Sequence, residues 1–265
     1  MRTLLKYRKN YYSQNGEDGV IREILKRLDI KDSWFVDVGA WDGRYLSNTF
    51  LLLQKGWKGV DIEADNTSYN DLLKTANKFP ARLFAIFAKV TVEGDDCLDS
   101  LLSRTQIPKE FGLLNIDIDS YDWWVWKTLN NYYPKIVIIE INSSFSPGIK
   151  HVQPANVVGL ETTIFGASFT STLSLGEEKG YRLVCHTGNM IFVRKDIVGR
   201  INLPAEELNF PHSLFITNWL VNKKESKIIF IIKLPMRKIM RLLRRKFPNI
   251  DKNLRELKRI IVRHY

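Results

Sequence analysis

Two short apolar runs, each ending in an acid or a glycine, most constrain how this chain can fold. The first reads Val-Asp-Val-Gly-Ala-Trp-Asp-Gly at residues 36–43, and the second reads Gly-Val-Asp-Ile-Glu at residues 59–63. The segment between them has the length of a helix, so the pattern predicts a strand, a turn, a helix and a second strand. In an α/β sheet built from such units, a ligand lies across the carboxyl ends of the strands.

The turn after the first predicted strand indicates the kind of ligand. Gly39 and Gly43 let the backbone come close to a bound molecule, and Glu63 can accept hydrogen bonds from a ribose diol. A dinucleotide is one candidate. However, the glycine spacing is G-x-x-x-G, and no glycine-rich turn offers a row of amides to a pyrophosphate. We therefore favour a ligand with a ribose and no phosphate, of which S-adenosylmethionine is the common example.

Short motifs of polar residues and glycine recur along the chain in a particular order. They read Ser-Gln-Asn-Gly-Glu-Asp at residues 13–18, Ser-Asn-Thr at 47–49, Gly-Trp-Lys-Gly at 56–59, Ile-Asp-Ile-Asp at 116–119, Ile-Glu-Ile-Asn at 139–142 and Gly-Ala-Ser at 166–168. With the two runs above, this order resembles that of FkbM-type S-adenosylmethionine-dependent methyltransferases, from about Tyr12 to about Asp196. One departure is Asp119-Ser120, where many of those proteins have glutamine and glycine after the fourth strand.

The resemblance implies a site for S-adenosylmethionine around the turn after the first strand. It places Asp37 and Gly39 near the amino-acid part of the cofactor and Glu63 near its ribose. Val90 and Thr91 would then be neighbours of the adenine. The full set of candidate cofactor residues is Gln14, Asp37, Gly39, Ala40, Gly43, Asn48, Glu63, Val90 and Asp117. The alternative is a structural turn with a solvated acid at the end of a strand.

The rest of the chain alternates between apolar runs and helical periodicity. The first predicted helix is Glu17–Leu28, for which Ser13 or Asn15 is the candidate N-cap. The other predicted helices cover residues 46–55, 70–77, 96–102 and 122–129, and the predicted strands cover residues 34–38, 59–63, 81–90, 112–118, 135–141, 181–186 and 190–194. This alternation predicts an α/β fold with a doubly wound, mostly parallel, seven-stranded sheet, similar to that of class I methyltransferases and closed by an antiparallel hairpin.

Four oxygen-bearing side chains follow the fourth and fifth predicted strands. Asp117 and Asp119 are two residues apart, as are Glu140 and Asn142, so each pair shares one face of its strand. If the strands are neighbours, the four side chains converge. Asp119 and Glu140 are then candidate catalytic bases toward a hydroxyl group, and both can join Asp117 as ligands of Mg²⁺. Alternatively, Asp117 only holds the cofactor's amino group and Asp119 only caps the next helix.

Residues 142–175 break the rhythm of strands and helices, because they contain several prolines and glycines and no sustained period. A long irregular segment after the fifth strand lies over the ligand face of the sheet, and such loops are often functional. We interpret it as the acceptor-binding insertion of a methyltransferase domain at residues 1–222. His151 lies within it and is a third catalytic candidate, with a solvated loop histidine as the alternative.

The positive charge of the chain is concentrated in residues 223–265. The sequence has 40 Lys or Arg, 29 Asp or Glu and a net charge of +11, and this tail holds 15 of the basic residues and 3 of the acidic ones. Its apolar and basic residues follow helical spacing, which suits an anionic membrane surface or an acidic partner. Packing on the domain or on a second subunit, in an oligomer, is the alternative. Residues 1–222 are nearly neutral, so overall basicity is no argument for an active site that reads nucleic acid.

The compartment follows from what the sequence does not contain. Cys97 and Cys185 set neither a disulfide framework nor a metal site. Residues 1–9 have no apolar stretch of signal-peptide length, and the longest apolar run, at residues 228–232, is too short to span a bilayer. We therefore expect a cytoplasmic protein, with peripheral binding to the inner face of the membrane through the tail as an extension.

The sequence thus predicts an O-methyltransferase that uses S-adenosylmethionine and acts on a sugar, a glycan precursor or a related hydroxyl-bearing small molecule. A nucleic-acid methyltransferase is the first alternative. It lacks support at residues 117–121, which do not carry the Asp/Asn-Pro-Pro-aromatic motif of base-amine methylases. A membrane-associated, non-catalytic scaffold with the same fold is the second alternative.

Overall fold

A computed structural model of the chain describes residues 3–31, 33–155 and 165–217. Two of the predictions concern residues outside these ranges. They are the basic tail at residues 223–265 and the middle of the insertion at residues 156–164. Within the described ranges, every helix is too short or too polar to cross a membrane.

A seven-stranded sheet forms the centre of the fold. Its strands are β1 (Trp34–Val38), β2 (Lys58–Glu63), β3 (Leu83–Phe87), β4 (Leu113–Ile116), β5 (Ile136–Glu140), β6 (Tyr181–His186) and β7 (Asn189–Arg194). Their order across the sheet is β3-β2-β1-β4-β5-β7-β6. Strand β7 runs antiparallel to β5 and β6, and the other pairs are parallel.

Helices cover both faces of this sheet. The described α-helices are α1 (Glu17–Leu28), α2 (Phe50–Gln54), α3 (Asn66–Ala76), α4 (Leu98–Ser103), α5 (Asp122–Thr128), α6 (Phe169–Glu178) and α7 (Ala205–Asn209). Helices α1, α2 and α3 pack on one face, and α4, α5 and α6 pack on the other. This arrangement confirms the predicted doubly wound, mostly parallel α/β fold.

Side chains that alternate along the strands build a core on each face. Val36 and Val38 of β1 pack toward α4, α5 and α6, whereas Phe35 packs toward α1, α2 and α3. Asp37 lies on the same face as Phe35, level with Asp61 on β2 and with Asn115 on β4. A row of polar side chains therefore crosses the middle of the sheet on the α1 face.

Local backbone geometry explains where the elements differ from the predictions. Helix α2 begins at Phe50 and not at residue 46, because Leu46 has a φ of 54°, outside the right-handed helical region. Helix α1 has the predicted bounds, and its N-cap is Gly16 with a φ of 86°. Neither predicted residue therefore occupies the N-cap position, although Ser13 Oγ accepts the N–H of Asp18 in the first turn at 3.2 Å. Strand β4 ends at Ile116, two residues before its predicted end.

Helix α6 begins inside the predicted insertion. The Oγ of Ser168 accepts a hydrogen bond from the backbone N–H of Ser171 at 3.2 Å and so caps the first turn. The irregular segment therefore ends at Ser168, and residues 169–175 belong to the helix.

Candidate functional site

The turn after β1 is held close to the end of β2 by backbone hydrogen bonds. The amides of Gly39 and Ala40 both donate to the carbonyl of Ile62, at 2.9 and 3.1 Å. The amide of Trp41 donates to Oε2 of Glu63 at 2.8 Å. The predicted cofactor residues Gly39, Ala40 and Glu63 thus meet at the carboxyl ends of β1 and β2.

Glu63 is buried, and three backbone amides hold its carboxylate. Besides Trp41 on Oε2, Ala64 and Asp65 donate to Oε1 at 2.8 and 2.7 Å. A carboxylate oxygen can accept more than one hydrogen bond, so Oε2 retains capacity for a hydroxyl donor. The position of Glu63 suits a ribose contact, which stays a prediction.

Gly39 is required by a close contact between two strand ends. Its φ is 86°, and a Cβ atom there would lie 2.0 Å from the carbonyl oxygen of Asp117. Any other residue would push β1 and the segment after β4 apart. The glycine therefore has a structural reason of its own, whether or not a ligand approaches it.

Asp37 and Asn48 belong to one buried network. Asp37 accepts hydrogen bonds from Thr49 Oγ1 at 2.7 Å and from Asn115 Nδ2 at 2.8 Å. Asn48 in turn donates to Asn115 Oδ1 at 2.9 Å. The network ties residues 47–49 to β1 and β4 beneath the turn that follows β1. Sequence reasoning missed Asn115, because its role depends on the pairing of β1 with β4.

Asp61 is a buried carboxyl that the sequence did not single out. Its Oδ1 has no hydrogen-bond partner among the residues that the structure describes. Gly43 lies above it, because a Cβ on Gly43 would be 3.0 Å from Asp61 Oδ2. Burial, and then the negative charge of Asp37, raises the pKa of Asp61 well above its ordinary value. Asp61 is therefore protonated under conditions in which an exposed aspartate is charged.

Three of the predicted acidic side chains come together beyond the ends of β4 and β5. Carboxylate oxygens of Asp117, Asp119 and Glu140 all lie within 4.8 Å of one another, and each residue is partly exposed. We call these three residues the acid cluster. Asp117 and Asp119 follow the end of β4, so a shared strand face does not explain their proximity. The backbone of Asp119 has a φ of 66°, in the left-handed region.

Asn142, which follows β5, makes hydrogen bonds within the insertion. Its Nδ2 donates to the carbonyl of Phe165 at 2.9 Å, and its Oδ1 accepts the backbone N–H of Ser144 at 3.1 Å. The Asn142 side chain thus has local partners in the loop, and its convergence with the three carboxylates stays a prediction.

Asp122, at the start of α5, adds a fourth acid next to the cluster. Its carboxylate accepts the amides of Ile118 and Ser120 at 2.9 and 3.0 Å. Burial, and then the charge of Asp117, raises the pKa of Asp122 to about 7. The surroundings of Asp122 thus disfavour its charged form.

His151, the third catalytic candidate, lies in the described part of the insertion. Its ring stacks on Phe145 with a centroid distance of 4.7 Å. Its backbone exchanges hydrogen bonds with Ser168, at 3.1 and 2.9 Å. The Nε2 atom is buried and lacks a partner among the described residues. The structure thus shows a packed loop histidine, and its catalytic role stays a prediction.

The hydrogen bonds of buried His186 determine which ring nitrogen carries the proton. Its Nδ1 accepts the backbone N–H of Ile216 at 3.1 Å, so the neutral ring carries its proton on Nε2. That atom faces Ser143 Oγ at 3.5 Å. Because the acceptor nitrogen is already used, His186 does not act as a base toward Ser143.

The motif at residues 13–18 holds the N-terminal segment. Asp18 Oδ2 accepts the backbone amides of residues 11, 12 and 13 at 2.9, 2.6 and 2.8 Å. Buried Glu17 accepts a hydrogen bond from Thr187 Oγ1 at 2.9 Å, and burial raises the pKa of Glu17.

The side chain of the candidate cofactor residue Gln14 is exposed. Its contact with a cofactor, like that of half-buried Val90, stays a prediction.

Tyr121, at the N-cap of α5, and Trp124, within it, hold the part of the insertion that lies before residue 156. Trp124 Nε1 donates to the carbonyl of Gln153 at 2.8 Å, and Tyr121 donates its hydroxyl to the carbonyl of Ala155. Trp124 therefore has a structural role in holding the insertion, whereas Trp126 on the same helix is buried in the core. The insertion therefore adjoins the acid cluster through α5.

A cavity of about 370 Å³ lies elsewhere, between β3 and α4. Its lining residues are Phe84, Ile86, Leu101, Arg104, Thr105 and Gln106. None of them is a candidate site residue, and β3 is an edge strand, three positions away from β4 in the sheet. We therefore place the candidate site at the carboxyl ends of β1, β2, β4 and β5.

The chain is similar in fold to several solved methyltransferase structures. It is 15% identical to glycopeptide N-methyltransferase MtfA, with a TM-score of 0.39, over 72% of this chain and 96% of that chain. It is 8% identical to an S-adenosylmethionine-dependent methyltransferase from Clostridium acetobutylicum, with a TM-score of 0.41, over 67% of this chain and 90% of that chain. For TehB from Haemophilus influenzae the identity is 10% and the TM-score 0.41, over 67% of this chain and 62% of that chain.

At these identities and TM-scores the similarity carries no information on substrate or chemistry. No protein-family model matches the chain. No curated protein matches it either.

Proposed function

We propose that this protein is an S-adenosylmethionine-dependent methyltransferase that acts on a hydroxyl group of a sugar, a glycan precursor or a related small molecule. The observation that carries the proposal is the acid cluster, which lies at the same edge of the sheet as Gly39 and Glu63. The predicted nucleoside-binding residues and three candidate proton acceptors thus share one edge, which supports methyl transfer to a hydroxyl.

The residues at this edge fit the cofactor by their chemistry. Glu63 presents a carboxylate at the end of β2, where a ribose diol would find an acceptor, and Gly39 presents backbone without a side chain. Bound S-adenosylmethionine would supply the methyl group as an electrophile. The protein's own part is to hold the acceptor hydroxyl in line and to take its proton.

The acid cluster is the group that takes the proton. As the acceptor oxygen forms its bond to the methyl carbon, its O–H proton passes to a carboxylate of Asp119 or Glu140. The products are a methyl ether and S-adenosylhomocysteine, so atoms and charge balance. Carboxylate oxygens of the three residues lie within 4.8 Å of one another, so more than one acceptor is at hand for this proton.

The same donor set also fits a hard cation. Three carboxylates within 4.8 Å of one another can supply oxygen ligands to Mg²⁺, which would neutralise the charge of the cluster. We keep this as a variant of the proposal. It differs from the proton-acceptor version in its sensitivity to chelators.

Calorimetry and a transfer assay test the proposal in sequence. The parent protein should bind S-adenosylmethionine, and E63A should bind it more weakly because the ribose loses its acceptor. Glu178→Ala is the matched control, since this glutamate is exposed at the end of α6. Equal affinity in E63A, or no binding to the parent, would count against the assignment.

The second step identifies the acceptor class. Protein and tritium-labelled S-adenosylmethionine are incubated with separate pools of free sugars, sugar nucleotides and RNA. Label in the first two pools supports the proposal. Label only in RNA supports the nucleic-acid alternative, and cofactor binding without transfer to any pool supports the non-catalytic scaffold.

The basic tail lies outside the described residues, and we make a separate proposal for its role. Residues 223–265 bind an anionic membrane surface through basic and apolar residues at helical spacing. This would keep a cytoplasmic enzyme at the inner face of the membrane.

A further inference from the structure

Asp122 makes two hydrogen bonds to the loop that carries part of the acid cluster. Its Oδ1 accepts the N–H of Ile118 at 2.9 Å, and its Oδ2 accepts the N–H of Ser120 at 3.0 Å. These amides lie on either side of Asp119. One carboxylate, in a residue that is 4% exposed, therefore holds the backbone of Asp119 from both sides.

The backbone that Asp122 holds has an uncommon conformation. The φ of Asp119 is 66°, in the left-handed region that few residues other than glycine adopt. In this conformation the Asp119 carboxylate lies within 4.8 Å of those of Asp117 and Glu140. Since like charges repel, an arrangement of this kind needs a restraint from outside the cluster.

We propose that Asp122 is the positioning residue of this site: by binding the amides of Ile118 and Ser120, it keeps Asp119 left-handed and its carboxylate beside the other two. This inference rests on the proposed methyl transfer, in which Asp119 is one of the proton acceptors. Asp122 is buried behind the loop and acts on the acceptor only through Asp119.

Asp122→Asn is the informative substitution. Asparagine keeps the shape and one acceptor oxygen, but its NH₂ group donates and cannot accept the second amide. Asp99→Asn is the matched control. Asp99 also holds two amides, those of Asn130 and Asn131, at 2.8 and 3.0 Å, and it is not part of the candidate site.

Hydrogen–deuterium exchange tests the structural half of the proposal. In D122N the amides of residues 118 and 120 should exchange faster than in the parent. In D99N the faster exchange should occur at residues 130 and 131 instead. Unchanged exchange at residues 118 and 120 in D122N would overturn the proposal, and this result requires no acceptor.

Single-turnover transfer tests the catalytic half, with the acceptor that the pools identify. D122N should lower the rate by about 10- to 100-fold through misplacement of Asp119, with unchanged affinity for S-adenosylmethionine. In an Asp119→Asn background, D122N should cause no further loss, because its effect passes through Asp119. D99N should transfer at the parent rate.

The outcomes separate the two proposals. Equal losses from D122N in the parent and D119N backgrounds would overturn the positioning role, since they show an effect independent of Asp119. Failure of the proposed function has another signature, namely a parent protein that binds no S-adenosylmethionine. In that case exchange at residues 118 and 120 still decides whether Asp122 holds the loop.

Discussion

Replacement of Asp61 by asparagine should remove a pH-dependent loss of stability. Asp61 is 1% exposed and lies level with Asp37 on the neighbouring strand. Burial, followed by the charge of Asp37, raises the pKa of Asp61 well above its ordinary value. The folded protein therefore keeps a proton on Asp61 at pH values at which the unfolded chain has released it.

The size of the effect follows from the linkage between proton binding and folding. The pKa of this carboxyl is higher in the folded state than in the unfolded chain, where it is about 3.9. Its contribution to stability is therefore fully present in acid and is lost as pH rises through the interval between the two values. Within that interval the free energy of unfolding falls by about 1.4 kcal/mol per pH unit. The asparagine of D61N does not titrate, so the free energy of unfolding of D61N relative to the parent should rise by about 1.4 kcal/mol per pH unit.

Urea unfolding of the parent and D61N at several pH values from 5 to 8 measures the difference. The buried amide of the variant can shift all its values by a constant, so the slope with pH is the quantity to compare. Asp71→Asn is the control, because Asp71 is exposed and pairs with Lys74 at 2.8 Å. Parallel pH profiles for the parent and D61N would refute the reasoning, since they would show that folding does not alter the pKa of Asp61.

Two further predictions concern the acid cluster and the tail. D119N and E140Q should each lower methyl transfer by about 10²–10⁴ and retain cofactor binding, because Glu140 on β5 is three strands away from Glu63 on β2. Full activity in both variants would rule out the acid cluster as the proton acceptor. If the cluster holds a metal, a chelator should abolish transfer and Mg²⁺ should restore it, whereas chelator-insensitive turnover excludes this variant. Removal of residues 223–265 should abolish co-sedimentation with vesicles of anionic lipids and leave cofactor binding intact. Equal pelleting of both forms would leave packing or oligomerisation as the role of the tail.

Local signals in the sequence were sufficient where one element carries its own pattern. Apolar residues at helical spacing predicted the bounds of α1, and the apolar run at residues 136–139 marked the predicted strand at residues 135–141 that the structure shows as β5. Predictions failed where a single dihedral angle decides, as at Leu46 before α2. A left-handed residue other than glycine leaves no clear mark in a sequence.

The acid cluster was predictable in part. The positions of Asp117, Asp119 and Glu140 after two apolar runs were enough to expect a meeting at one edge of the sheet. The reason given for it, a shared strand face, was wrong for Asp117 and Asp119, because both lie beyond the end of β4. Asn142 had the same spacing but found partners in the insertion.

The sequence by itself therefore determined the order of the seven strands and of helices α1 to α5, the fold class and the edge at which polar side chains gather. Only the tertiary structure decided which buried polar groups are paired. Asn115 joins Asp37 and Asn48, whereas Asp61 remains without a partner for Oδ1 in the described structure. The physical reason is that the free energy of a buried polar group depends on the neighbours within hydrogen-bond distance. Strand pairing and register supply those neighbours. Both bring together residues that are far apart along the chain, so local sequence patterns do not reveal them.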